Sequence, residues 1–168
     1  MIIEVPFISQ QKAPPEWRSR ACGIACAMMA LEYIRKKEIL SFDEIIKKGL
    51  KEKGYQGGIG WKHNFLACLG DGNAEMKDFK KVSLKGGIDQ LALYLWRYSL
   101  PIVSVTSDNK KDSHLIILVG VTQNADDIVT KFHYHDPKYK KEKKGAYREM
   151  DIEIFKERWR QLAIIFNR

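Results

Sequence analysis

Cys22, His114 and Asp136 are the residues of this 168-residue chain whose types and settings suit nucleophilic chemistry. Cys22 lies in Ala21-Cys22-Gly23-Ile24-Ala25-Cys26, where a loop runs into a helix. The residues before it, Lys12 to Arg20, carry two prolines and poor helix signals. From Gly23 onward nearly every residue is a good helix former. The spacing therefore puts Cys22 at a helix N-terminus. Unpaired backbone N–H groups and the positive end of the dipole favour a negative charge there. A thiol so placed loses its proton more easily, and the thiolate is the attacking form. Gly23 is expected to give the backbone room to turn and to leave the sulfur uncrowded. The same stretch admits a plainer reading: Cys22 and Cys26 are one turn apart, and both pack in a core as free cysteines commonly do.

The rest of the chain bears on that choice. His114 follows Asp112-Ser113 and leads straight into an apolar run, so it opens a strand and can face a cleft. Asp136 sits in His135-Asp136-Pro137, where proline stops a strand. Antiparallel strands joined by a hairpin bring the start of one beside the end of the next, so His114 and Asp136 are expected to be neighbours. A cysteine, a histidine and an orienting carboxylate held together are what cysteine nucleophilic catalysis requires. Gln10, after the first extended segment, is the fourth polar side chain at an element end.

The elements that must position these residues come in order. Ile2 to Ile8 is extended, and Pro6 confines it to an edge or an irregular strand. A helix runs from Cys22 to about Lys36, apolar on most faces through Met29 and so central and buried. Ser41-Phe42-Asp43-Glu44 is a capping box that opens a helix to about Lys53. Gly54 to Gly60 is glycine-rich but lacks a P-loop ending, and reads as a turn beside a cleft. Trp61 to Leu69 is a short helix, ended by Gly70 to Asn73. Gly86-Gly87 precedes a helix over Ile88 to Tyr98 with Leu91, Leu95 and Tyr98 on one face. The period then changes. Pro101 to Thr106, His114 to Val121 and Ile128 to His135 read as three strands, the middle one covered on both faces. Tyr147 to Met150 reads as a further strand. Asp151 is placed to cap a short helix containing Phe155 and Trp159. Leu162 to Phe166 closes as a strand. Helices first and an antiparallel sheet after them make an α+β domain, with no repeat or linker dividing residues 1–168.

At this point the chain resembles the papain-like cysteine peptidases of the bacteriocin-processing (double-glycine) family, in their stand-alone branch. The matching stretches are Val5 to Gln10, Ala21 to Cys26, Gly60-Trp61-Lys62-His63, Leu100 to Val103, Ser113 to Gly120 and His135-Asp136-Pro137, with Phe155 and Trp159 as a closing pair. They cover almost the whole chain in the family's order. Ile24 stands where the family often has Pro, and Ala21 where it often has Asp or Gly. The resemblance implies a papain-like fold, with Cys22 as nucleophile and His114 as general base and acid. Asp136 would orient the histidine, and Gln10 would donate to the oxyanion, with Gln11 beside it as the alternative. It implies hydrolysis of a peptide bond, after a Gly-Gly-type leader in the family's own substrates. No metal or other cofactor is implied. The partners would be a peptide or protein substrate; no transporter is identifiable. A catalytically silent peptide-binding domain, or an acyl transferase using the same thioester, would keep the same residues.

Composition is that of an ordinary globular protein: 45% hydrophobic, 30% charged and three cysteines, an odd number that suits a reducing compartment. No transmembrane segment or signal peptide is visible, so a cytoplasmic location is expected. The net charge is +8. Much of the excess sits in Lys138 to Lys144, which reads as a solvated hairpin, and no specific nucleic-acid site is expected. Cys26 and Cys68 are expected in the core, His63 as structural or cleft-lining, and Trp61 and Trp96 as packing residues. His133 and His135 share a strand face. A zinc site with Cys22 and Cys26 would fit no common module spacing.

Overall fold

The computed structural model describes residues 1–35, 40–107 and 112–168. Two 3-10 turns, Gln10–Lys12 and Pro15–Arg20, lead into helix α1 (Cys22–Arg35). The expected end of this helix at Lys36 lies outside the described residues. Every residue of α1 from Gly23 to Leu31 is buried, as its uniformly small and apolar sequence requires. Helix α2 (Phe42–Lys51) opens on the capping box, with the Ser41 hydroxyl accepting from the Glu44 N–H and the Glu44 carboxylate accepting from the Ser41 N–H. The glycine-rich stretch folds into a two-stranded hairpin, β1 (Tyr55–Gln56) and β2 (Gly60–Trp61), followed by α3 (His63–Cys68).

Strand β3 (Ala74–Asp78) comes next. Helix α4 (Leu84–Trp96) begins four residues before the expected start, because Ser83 caps it by accepting from the Gly86 N–H at 3.1 Å. Gly86 and Gly87 thus belong to its first turn. Gly87 is small there because the Trp159 ring lies 2.9 Å from where a Cβ would stand. Then follow β4 (Leu100–Thr106), β5 (Ser113–Gln123), β6 (Val129–His135), α5 (Glu142–Gly145), β7 (Arg148–Asp151), α6 (Ile152–Arg158) and β8 (Trp159–Phe166). Asp151 stands at the cap position of α6 without a capping side-chain hydrogen bond. The lysine stretch contains the short helix α5, with Lys140, Lys141, Lys143 and Lys144 exposed.

The larger sheet has the order β3-β8-β4-β5-β6-β7, antiparallel throughout, so the fold is α+β. β5 is buried from Leu115 to Val121, and both α1 and α4 pack on it. The β5–β6 register slips by one residue between Leu118 and Gly120. The N-terminal segment uses the slip: the Ile3 N–H donates to the Val119 carbonyl at 2.7 Å and the Val121 N–H to that of Met1 at 2.9 Å. It stays extended, with one isolated bridge, Ile2 to Gly120.

Three packing expectations need correction. Cys68 is exposed, because Phe65, Leu66 and Leu69 take the inner face of its helix. Trp96 is 50% exposed and donates its indole N–H to Gln123 Oε1 at 3.1 Å. Tyr98 is likewise half exposed, since the chain has left α4 and turns into the left-handed region there. Among the described residues no helix is long and apolar enough to cross a membrane.

Candidate active site

Cys22 is the first residue of α1, His114 the second of β5, and Asp136 directly follows β6. His114 Nε2 lies 2.7 Å from Asp136 Oδ1, and both side chains are largely buried. The Lys138 backbone N–H donates to the same oxygen at 3.1 Å, and Lys138 Nζ is 3.6 Å from Oδ2. The Asp136 N–H donates to the Gly145 carbonyl at 2.8 Å, which fixes the backbone of the turn. Cys22 and the His114 imidazole interact, each shifting the other's protonation.

The electrostatics follow from that chain of contacts. Burial alone would raise the Cys22 pKa. The hydrogen bond and charge of His114, with N–H groups of Leu115 and Gly23, outweigh it and hold the thiol below its ordinary value. Burial likewise works against a charged His114, yet Asp136 and Cys22 together raise its pKa to about 9. Asp136 is held below the usual carboxylate range, its burial offset by His114 and Lys138. Both shifts move the pair toward a thiolate and an imidazolium, with the Asp136 carboxylate behind the ring.

Gln10 is buried beside this group. Its N–H donates to the Pro137 carbonyl at 2.9 Å, next to Asp136, and its turn packs on α1. The Gln10 amide nitrogen donates to the Arg18 carbonyl, leaving its second hydrogen for another acceptor, while Oε1 is buried without a partner among the described residues. Gln11 is turned instead to the Lys138 carbonyl, 3.3 Å away.

The other thiols and histidines are placed differently. Cys26 is fully buried, donates to the Leu115 carbonyl at 3.5 Å, and burial raises its pKa well above that of an ordinary thiol. His133 bonds Thr122 Oγ1 at 2.8 Å. His135 donates from Nε2 to the Val5 carbonyl at 2.9 Å and accepts the Tyr147 N–H on Nδ1 at 3.0 Å. Among the described residues no three His, Cys, Asp or Glu side chains are grouped to hold a metal ion. Gly23 does not serve a turn. It lies within the helix, and a Cβ there would meet Leu66 and Leu115 at 2.7 and 2.8 Å, so its smallness lets α1 approach α3 and β5.

Cys22 borders a cleft of about 640 Å³. Its lining comes from the start of α1, the β1–β2 hairpin and α3, and from β3, β8, β4 and β5. Trp61 and His63 line it, as does Gly60 of the glycine-rich loop. Arg20 and Arg160 also line it, and nothing in their sequence context singles them out: only folding brings residues 20 and 160 to one opening. No curated protein matches the chain. The model of the peptidase C39-like family matches residues 2–164, nearly the full length, and the chain belongs to that family.

Proposed function

We propose that this chain is a cysteine peptidase, with residues 1–168 acting as one papain-like domain. The observation that carries the reading is the His114–Asp136 bond at 2.7 Å together with the Cys22 thiol, which interacts with the same imidazole and borders a cleft. His114 receives the thiol proton, and the thiolate attacks a peptide carbonyl to give a tetrahedral oxyanion. The Cys22 N–H at the start of α1 and the second N–H of the Gln10 amide are the donors proposed for that oxygen. The intermediate collapses to a thioester as His114 protonates the departing amine. Water, deprotonated by His114, then attacks the thioester and returns the thiol. Asp136 holds the ring in the orientation that presents Nδ1 to sulfur.

The test is peptide hydrolysis followed by mass spectrometry across five variants. Cys22→Ala and His114→Ala are expected to abolish turnover. Asp136→Ala is expected to slow it by a smaller factor. Gln10→Ala is expected to lower kcat by about two to three orders of magnitude. Wild-type rates from His114→Ala would overturn the reading, and an equal loss from Gln11→Ala alone would move the oxyanion donor by one residue.

A further inference from the structure

The cleft in front of Cys22 combines two surfaces. One is apolar, made by Ile59, Trp61, Met76, Leu115 and Leu162. The other is cationic, made by Arg20, Lys62 and Arg160, all exposed, and no Asp or Glu is among the described residues that line the cleft. Glu75, next to Met76 on β3, is engaged with Lys77 at 2.9 Å. Arg20 is held in place: Nη1 donates to the Tyr55 hydroxyl at 2.8 Å, and the guanidinium lies 5.1 Å from the Trp17 ring centre and 5.8 Å from that of Tyr55. A cation fixed by stacking is ready to meet an anion with little further loss of side-chain freedom. His63, which also lines the cleft, is kept toward its neutral form by burial and by the Arg160 guanidinium near it. The field in the cleft is therefore set by the three permanent cations.

We propose that the cleft selects peptides carrying a large apolar side chain together with an Asp or Glu within a few residues of it. The apolar group covers the Trp61–Leu162 wall, and the carboxylate reaches Arg20, Lys62 or Arg160. This rests on the peptidase reading of the same site and adds its substrate class. A pair of glycines would leave the apolar wall exposed to water, whereas a cleft of this size suits side chains of substance.

The experiment separates this proposal from the peptidase reading by measuring binding without turnover. The full chain carrying Cys22→Ala is immobilised and offered a degenerate octapeptide pool at low salt, and the retained peptides are sequenced by mass spectrometry. Asp and Glu are expected to be enriched about threefold to fivefold at positions near an enriched bulky apolar residue, as exposed ion pairs allow, with the bias shrinking at high salt. Arg160→Glu and Lys62→Glu, added to that background, should reverse the bias toward Lys and Arg, and Arg160→Gln should weaken it. Retention without acidic bias, a bias unchanged by the reversals, or no retention would each overturn the proposal. The retained peptides are then offered to wild-type protein: acidic enrichment without cleavage would sink the peptidase reading and leave the binding preference standing.

Discussion

Two thiols of this chain sit one helical turn apart and differ by what surrounds each sulfur. Cys22 has His114 and the N–H groups of Gly23 and Leu115; Cys26 has apolar neighbours and the Leu115 carbonyl, which accepts its S–H hydrogen bond. The first setting stabilises the thiolate and the second the neutral thiol. Cys68, exposed at the end of α3, is the accessible internal standard. A limiting amount of iodoacetamide at mildly acidic pH should therefore label Cys22 ahead of the exposed Cys68, with Cys26 protected until unfolding. The sign is fixed by the shifts. Labelling of Cys22 rises with pH through its lowered pKa and then levels off. On the proposed mechanism hydrolysis needs a protonated His114 to release the amine, so it should fall again as pH passes about 9. His114→Ala should push the labelling of Cys22 to higher pH. Peptide mapping reads out the modified residue. Labelling of Cys68 ahead of Cys22, or an inert Cys22 in the folded protein, would make Cys22 a structural cysteine.

Strand β6 carries both a site residue at its end and the histidine that fastens the N-terminal segment. His135 bridges the Val5 carbonyl and the Tyr147 N–H, with Phe7 and Tyr147 packed edge-on to its ring. This arrangement uses the neutral imidazole, and burial holds its pKa below 6.5. The unfolded chain takes up a proton there before the folded one does. Stability is thus present above the unfolded value and is lost as pH falls below it toward the folded value. Urea midpoints measured from about one unit above to about one unit below the ordinary imidazole value should fall more steeply in the wild type than in His135→Gln. Parallel slopes would remove His135 as the cause. Elements of this kind were legible in the sequence when their periodicity was strong: α1, α2, β4, β5 and β6 stand close to where their patterns place them. Strand β3 was not, since Ala74-Glu75-Met76-Lys77-Asp78 is a sheet-edge segment with mostly exposed or half-exposed side chains and no apolar alternation. Gly86-Gly87 reads as a helix boundary because the need for a small residue against Trp159 lies 72 positions away in sequence. The neighbouring of His114 and Asp136 was legible because a hairpin is local. The basic rim was not, because Arg160 reaches the cleft only through the pairing of β8 with β3 and β4.

At the scale of the molecule, the candidate site is assembled from four segments well separated in sequence, and the extended N-terminal segment ties two of them together. It runs from the Gly120 crossing on β5, past the His135 clasp, to Gln10, whose N–H is bonded to the Pro137 carbonyl. Gly120 permits the crossing: a Cβ there would stand 2.6 Å from the Met1 carbonyl oxygen and 3.0 Å from the Ile2 Cα, both backbone atoms that no rotamer change can move. Gly120→Ala must therefore lift the segment off β5. Overpacking of this kind costs about 1–3 kcal/mol. The consequences for the site should be unequal. Gln10 hangs on the displaced segment, whereas Cys22, His114 and Asp136 are carried by α1, β5 and the end of β6. In Gly120→Ala the urea midpoint and kcat should both fall, while the rate and pH dependence of Cys22 alkylation stay close to wild type. If alkylation of Cys22 loses its low-pH character as well, the segment braces the entire cleft. If kcat is unchanged despite the lost stability, Gln10 is held by its own turn and the Arg18 carbonyl, not by the crossing at Gly120.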